Sequence, residues 1–110
     1  MNEKLIGRFY FKITKNGNLI GEFSNNLSPK NFTESADLIK QDVKGFEGNY
    51  YSSWLDDTDV KSANLFIRIK KGCKDIYTVN WKAKDIDFFG EGFICDDIFI
   101  GDYRNFDPIP

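Results

Sequence analysis

Apolar and polar side chains alternate along most of this chain, and that period of two is the feature that most restricts its fold. In residues 5–14, Phe9, Phe11 and Ile13 share one set of alternate positions, and the positions between them are mostly polar. Successive side chains of a β-strand point to opposite faces, so this run predicts a strand with one buried face. We predict strands in six further runs: residues 19–23, 49–55, 63–70, 77–82, 88–94 and 98–103.

Turn-forming residues separate the first two runs and predict an antiparallel hairpin. A three-residue loop at 16–18 pairs Phe11 with Phe23 and keeps apolar side chains on one face, whereas a two-residue turn does not. Such a loop needs a residue at positive φ, and we expect Gly17 or Asn18 to be that residue.

Two more hairpins follow from the same reasoning. A loop centred on Cys73 pairs Leu65 with Trp81 on one face and keeps their apolar neighbours in register. A tight turn at Asp96-Asp97 joins the last two runs. Successive strands are therefore expected to pair as a meander.

Residues 29–44 break the period of two and follow a helical spacing instead. Their apolar residues recur at intervals of four, three, four and three: Phe32, Ala36, Ile39, Val43 and Phe46. Ser28 fits an N-cap, Pro29 the first helical position and Gly45 the residue beyond the end. The alternative is that Leu38 and Ile39 belong to a strand of an all-β barrel.

The predicted fold is therefore mainly β (α+β). It is an antiparallel meander of about seven strands forming a curled sheet or small barrel, with one helix at about 29–44. A length of 110 residues fits one domain spanning 1–110. The start, MNEKLIGRFYF, has no apolar signal region, and no run is long enough to span a membrane. We therefore expect a cytoplasmic protein with no membrane association.

The chemistry available to the chain argues against most enzymes. The sequence contains no histidine, which removes the usual general base, Ser-His and Cys-His nucleophiles and ordinary zinc sites. Glu91 and Asp102 are the best carboxylate pair for a glycosidase, but we expect them to be solvated charges on a strand. Asp57-x-Asp59 lacks the glycine and glutamate of a calcium loop. We predict no catalytic residues, no metal site and no cofactor.

The two cysteines, Cys73 and Cys95, are too few for a disulfide framework. We expect two free thiols, although neighbouring strands would bring them close enough for a disulfide to remain possible.

Charge is unevenly distributed along the chain. Residues 85–110 contain seven acidic residues and a single basic one, Arg104. Nucleic-acid binding is not expected, because the strand motif Gly90-Glu91-Gly92-Phe93 carries an acid and the net charge is −2. Pairing with lysines across the sheet would explain the acidic hairpin structurally. The functional alternative is that it attracts a basic protein partner.

Several aromatic residues fall on the faces predicted to meet solvent, where either the helix or another chain must cover them. The leading hypothesis is a non-enzymatic binding module, of inhibitor or immunity type, for a protein partner or a second copy. Its predicted contact residues are Phe89, Glu91, Phe93, Asp96, Asp97 and Asp102.

The pattern Tyr77-x-Val79-x-Trp81, then Phe88-x-Gly90-x-Gly92, then 98–103 resembles the C-terminal hairpins of small bacterial lipocalin-like or avidin-like barrels, the calycin type. The resemblance covers residues 76–103 and implies a barrel that holds a ligand or partner. The alternative function is therefore a carrier of a small apolar or aromatic ligand. Its predicted ligand-binding residues, which could equally be core filling, are Tyr50, Trp54, Tyr77, Trp81 and Phe88.

Overall fold

The computed structural model describes residues 4–41 and 45–105, which form an eight-stranded antiparallel barrel. Each strand pairs with its neighbour in sequence, and the first strand pairs with the last to close the sheet. The strands are β1 Ile6–Ile13, β2 Leu19–Asn25, β3 Ser28–Lys40, β4 Gly48–Leu55, β5 Val60–Ile69, β6 Tyr77–Ala83, β7 Ile86–Cys95 and β8 Ile98–Asn105. The predicted mainly β antiparallel meander is confirmed; of the two predicted forms, curled sheet or small barrel, the chain adopts the closed barrel, with eight strands instead of about seven. In the described ranges no helix could span a membrane.

The predicted helix at about 29–44 is wrong over its described residues. Ser28–Lys40 form β3, which is the strand that the sequence pattern did not predict. Residues 42–44 lie outside the described residues. Glu34 and Ala36 are buried, and the residues on either side of each are exposed, which is the alternation of a strand.

The helical spacing was misleading because a glutamate occupies an inward position of β3. Glu34 puts a polar residue on the inner face of the strand, where apolar residues are expected. Ile39 puts an apolar residue on the outer face. In the barrel Ile39 is 61% exposed. The polar residue in the core therefore concealed the period of two that the flanking residues obey.

Hairpin registers agree with the sequence only in part. Leu65 pairs with Trp81, as predicted. In the first hairpin, Phe11 pairs with Gly21 instead of Phe23, because the loop occupies 15–17 and not 16–18. A shift of two residues keeps every side chain on its predicted face. Gly17 has a φ of +86°, so its predicted positive φ is confirmed.

The final hairpin turns at Asp96 and Asp97, as predicted. Their φ angles are +50° and +65°, the pair of left-handed values that defines a type I′ turn. Within this hairpin, a Cβ at Gly90 would lie 1.8 Å from the carbonyl oxygen of Asp102. Glycine is therefore needed at position 90 for the close approach of β7 to β8.

Side chains fill one end of the barrel. We call it the closed end; it carries the turns at 14–18, 70–76 and 96–97. Phe46, from the connection between β3 and β4, packs on Phe99 with ring centroids 5.5 Å apart. The phenol of Tyr50 donates a hydrogen bond to the Phe46 carbonyl oxygen (2.7 Å), which anchors Phe46 at this end. The opposite end, with the turns at 26–27, 56–59 and 84–85, we call the open end.

Candidate ligand-binding cavity

The open end of the barrel contains a cavity of about 550 Å³, which we call the mouth cavity. Six aromatic residues, each from a different strand, contribute to its lining: Phe23, Phe32, Trp54, Trp81, Phe88 and Tyr103. Ligand pockets of proteins typically measure about 300–1,000 Å³ and are mainly apolar with few polar groups. The mouth cavity therefore has the size and lining of a small-molecule site.

The aromatic lining is held together by contacts between its own rings. Phe23 lies edge-on to Trp54 and to Tyr103, with centroids 6.1 and 6.2 Å apart. Tyr103 also contacts Trp81 at 5.6 Å and Phe88 at 5.8 Å. Tilted and edge-on pairs at these distances are favourable. The wall is thus formed before any ligand enters.

A carboxyl group lies in the aromatic lining. Glu34 points inward from β3 and is 6% exposed. Trp81, on the far side of the barrel in β6, donates its indole N–H to Glu34 Oε2 at 2.7 Å. Ser52, on the adjacent strand β4, donates its hydroxyl to the same oxygen. Two donors therefore fix the position of one carboxyl oxygen.

The second oxygen of Glu34, Oε1, receives no hydrogen bond from any described residue. Among the described residues, every fully buried side-chain nitrogen or oxygen has a hydrogen-bond partner. Oε1 consequently belongs to the small exposed part of Glu34, and Glu34 is a lining residue of the mouth cavity. One oxygen is held by the protein and the other is open to the cavity.

Burial raises the pKa of Glu34 from 4.5 to about 7, although the hydrogen bonds from Ser52 and Trp81 act in the opposite direction. Desolvation disfavours the charged form of a carboxyl group, and here it outweighs both donors. Near neutral pH the group is therefore present in both protonation states.

Tyr103 adds a second polar group to the lining. Its hydroxyl accepts a hydrogen bond from Asn25 Nδ2 (3.1 Å) and donates one to the carbonyl oxygen of Ser24 (3.3 Å). Burial, with a smaller contribution from the nearby Glu34 carboxylate, raises the pKa of Tyr103 to about 12, although the hydrogen bond from Asn25 acts in the opposite direction. The phenol is therefore neutral throughout the physiological range.

Four charged residues at the open end also line the mouth cavity. Asp56 lies in the turn between β4 and β5, Lys61 lies in β5, and Lys84 and Asp85 form the turn between β6 and β7. Their formal charges cancel. Ionisation of Glu34 therefore decides whether the site as a whole carries a negative charge.

The five predicted ligand residues fall at both ends of the barrel. Trp54, Trp81 and Phe88 line the mouth cavity. Tyr50 is fully buried toward the closed end, where burial raises its pKa to about 12. Tyr77 packs on Phe99 with centroids 5.7 Å apart, also away from the cavity. A ligand role for the first three stays a prediction.

Sequence reasoning missed Glu34, which is the most informative residue of the site, together with Phe23, Phe32 and Tyr103. The pattern Phe32-x-Glu34-x-Ala36 contains the signal, since an acid is flanked at i−2 and i+2 by apolar residues. In a strand those three side chains share one face. Once this segment is recognised as a strand, the sequence places a carboxyl group inside the barrel.

The six predicted partner-contact residues all lie on the outside of the β7–β8 hairpin. Glu91 forms an ion pair with Lys70 (2.6 Å), and Asp102 accepts the backbone N–H of Glu91 (3.4 Å). The Arg104 guanidinium lies over the ring of Phe89, 5.6 Å from its centroid. The remaining three are exposed: Phe93, Asp96 and Asp97.

Of the two covers expected for the outer aromatic rings, the helix or another chain, the helix is ruled out over the described residues. The segment that was to supply the helix is part of the barrel wall. Phe93 is 49% exposed, and its partner across the hairpin, Ile100, is also exposed. The described residues therefore leave an apolar pair open on the outer surface beside the acidic turn.

Both cysteines are free and exposed. Cys73 lies in the turn between β5 and β6, and Cys95 ends β7, so both are at the closed end. In residues 4–41 and 45–105, no group of three or more His, Cys, Asp or Glu side chains is arranged to hold a metal ion.

The chain matches no protein-family model, no curated protein and no solved structure in comparisons of sequence and fold. The eight-stranded antiparallel closed barrel is compatible with a calycin-like fold.

Proposed function

We propose that this protein is a small-molecule binding protein that holds an apolar or aromatic ligand in its mouth cavity. The observation that carries the proposal is a cavity of about 550 Å³, open at one end and walled by aromatic rings. Eight-stranded barrels are just wide enough either to fill with side chains or to hold one small ligand. Here one half of the interior is filled, and the other half is not.

A steric block at the entrance tests this proposal. Ala83 is an exposed residue of β6 that lines the mouth cavity, so a tryptophan in its place would obstruct the cavity. Its neighbour Lys82 is equally exposed but points to the outside of the barrel. Ala83→Trp and Lys82→Trp therefore add the same side chain to the two sides of one strand.

The measurement is a fluorescence titration with the neutral apolar probe N-phenyl-naphthylamine. The wild-type protein and Lys82→Trp should bind it with saturable one-to-one stoichiometry, and Ala83→Trp should bind it at least about tenfold more weakly. Native mass spectrometry of the purified protein should also reveal any co-purified ligand as mass that is lost on denaturation. Equal binding by both variants, or no saturable binding by the wild type, would rule the proposal out.

A second candidate is the binding of a basic protein partner by the β7–β8 hairpin. The exposed pair Phe93 and Ile100 beside Asp96 and Asp97 favours it, since interface cores are rich in aromatic residues and acidic rims attract basic partners. Charge reversal to lysine would strain the turn, because both aspartates have positive φ. Asp96→Asn with Asp97→Gly removes both charges and suits those backbone angles.

Affinity capture from extracts of the cells that make this protein should be run in parallel with the wild type and that double variant. A basic protein recovered by the wild type should associate about tenfold more slowly with the variant at low salt, and the difference should shrink at high salt. Equal association rates at both salt concentrations would refute electrostatic attraction by this turn.

A further inference from the structure

Glu34 is an unusual residue for the interior of a barrel. An acid on an apolar face is costly to bury, and the described structure satisfies only one of its two oxygens. Burial of a polar group without a complete set of partners costs free energy that a glutamine or an apolar residue would avoid. The open oxygen therefore calls for a hydrogen-bond donor that the protein itself does not provide.

Building on the proposed function, we propose that the natural ligand carries a protonated amine, which donates to Glu34 Oε1 while its apolar body packs against the aromatic wall. The ligand class is thus a small aromatic or aliphatic amine. An ammonium group is a strong donor to a carboxylate, and charge-assisted hydrogen bonds are about twice as strong as neutral ones.

The rings around Glu34 suit a cation as well. Trp81 donates its edge N–H to Glu34, and its ring contacts that of Tyr103 at 5.6 Å. Aromatic faces attract ammonium groups within about 6 Å of the ring centroid. When Glu34 is ionised, the carboxylate and the aromatic rings beside it therefore recognise positive charge in two ways, whereas a carboxylate ligand would be repelled at the same position.

Charge selection depends on the ionisation of Glu34, so the other titratable groups of the cavity matter. At the open end, Asp56 and Asp85 offset Lys61 and Lys84. Across the barrel, Tyr103 is neutral in this pH range because burial raises its pKa. With the pKa of Glu34 near 7, raising the pH from about 6 to about 8 increases its ionised fraction about tenfold.

Three probes with one apolar body separate charge from shape: naphthylethylamine, naphthylethanol and naphthylpropanoate. An alkylamine has a pKa of about 10 and stays protonated over this range. Calorimetric titration at pH 8 should give at least about tenfold tighter binding of the amine than of the alcohol, with the carboxylate weakest. Amine affinity should rise about tenfold from pH 6 to pH 8, whereas alcohol affinity should not rise.

Glu34→Gln removes the charge while keeping the shape of the side chain and an acceptor for Trp81 and Ser52. In this variant the preference for amine over alcohol should fall below about threefold, and the pH dependence should disappear. Glu22→Gln is the matched control, since Glu22 lies on the outer side of β2, where the hydroxyl of Tyr10 donates to it. The control should retain the preference of the wild type.

The outcomes separate this inference from the proposed function. If all three probes bind equally well and Ala83→Trp blocks all of them, the amine inference is overturned and the small-molecule function stands. If the amine preference persists in Glu34→Gln, Glu34 does not recognise the ligand and the inference is again overturned. If no probe binds, or if Ala83→Trp has no effect, both proposals are wrong.

Discussion

Replacing Glu34 with glutamine should stabilise the ligand-free protein at alkaline pH. The pKa of this carboxyl group rises from 4.5 to about 7 on folding because burial disfavours its charged form. The folded protein therefore holds the proton more tightly than the unfolded chain does. The stabilisation from that proton is complete below about pH 4.5 and is lost as the pH rises through about 7.

The size of the loss follows from the pKa difference. At about 1.4 kcal/mol per pH unit, a rise from 4.5 to about 7 corresponds to about 3 kcal/mol. Domains of this size are stable by only about 5–15 kcal/mol, so this is a large fraction. Glutamine cannot ionise, and its carbonyl oxygen can still accept from Trp81 and Ser52. The variant should therefore escape the loss.

The assay is urea unfolding of the wild type, Glu34→Gln and the outer-face control Glu22→Gln at several pH values from about 5 to 8. The free energy of unfolding of Glu34→Gln, relative to wild type, should grow by about 2.5 kcal/mol across this range, because part of the loss already occurs below pH 5. The corresponding difference in melting temperature is on the order of 10 °C at the alkaline end. Parallel curves for the wild type and Glu34→Gln would refute the assignment of this cost to Glu34.

Two further predictions concern the β7–β8 hairpin and are measured by the same urea assay. Gly90→Ala should lower the free energy of unfolding by more than about 2 kcal/mol, because the new Cβ would lie 1.8 Å from the Asp102 carbonyl oxygen. A Cβ at Gly72 would have no atom within 4 Å, so Gly72→Ala should lower the free energy of unfolding by only about 1 kcal/mol, because of its φ of +81°. Equal losses in the two variants would contradict the steric argument. The double variant Asp96→Asn with Asp97→Gly should have a free energy of unfolding about 1 kcal/mol higher, because asparagine and glycine suit a type I′ turn. A loss in that double variant would be inconsistent with the turn geometry.

The strands could be predicted wherever the inner face was uniformly apolar. β5 and β6 meet this condition, and their register was predicted residue for residue from Leu65 and Trp81. The first hairpin had two registers that keep the same faces inward, two residues apart, and periodicity cannot distinguish them. Only the loop itself, with Gly17 at positive φ, decides between them.

β3 could not be predicted because a buried carboxyl group interrupts its inner face. Its inner face carries Glu34 where the alternation calls for an apolar residue, so the period of two could not be recognised in this segment. Local patterns are expected to fail where a residue is retained for a task other than folding. The failure to predict β3 and the failure to identify Glu34 were therefore one error. The glutamate at an inward position is what hid the strand.

The filled closed end has a consequence for the orientation of any bound amine. A molecule that enters at the mouth must travel with its ammonium group leading, because Glu34 lies beyond the rim and Phe46 and Phe99 occupy the far end. Its trailing end then stays next to solvent. Chemical extensions attached there, such as a fluorophore or the linker of an affinity resin, should leave binding intact, whereas the same extension on the nitrogen should abolish it.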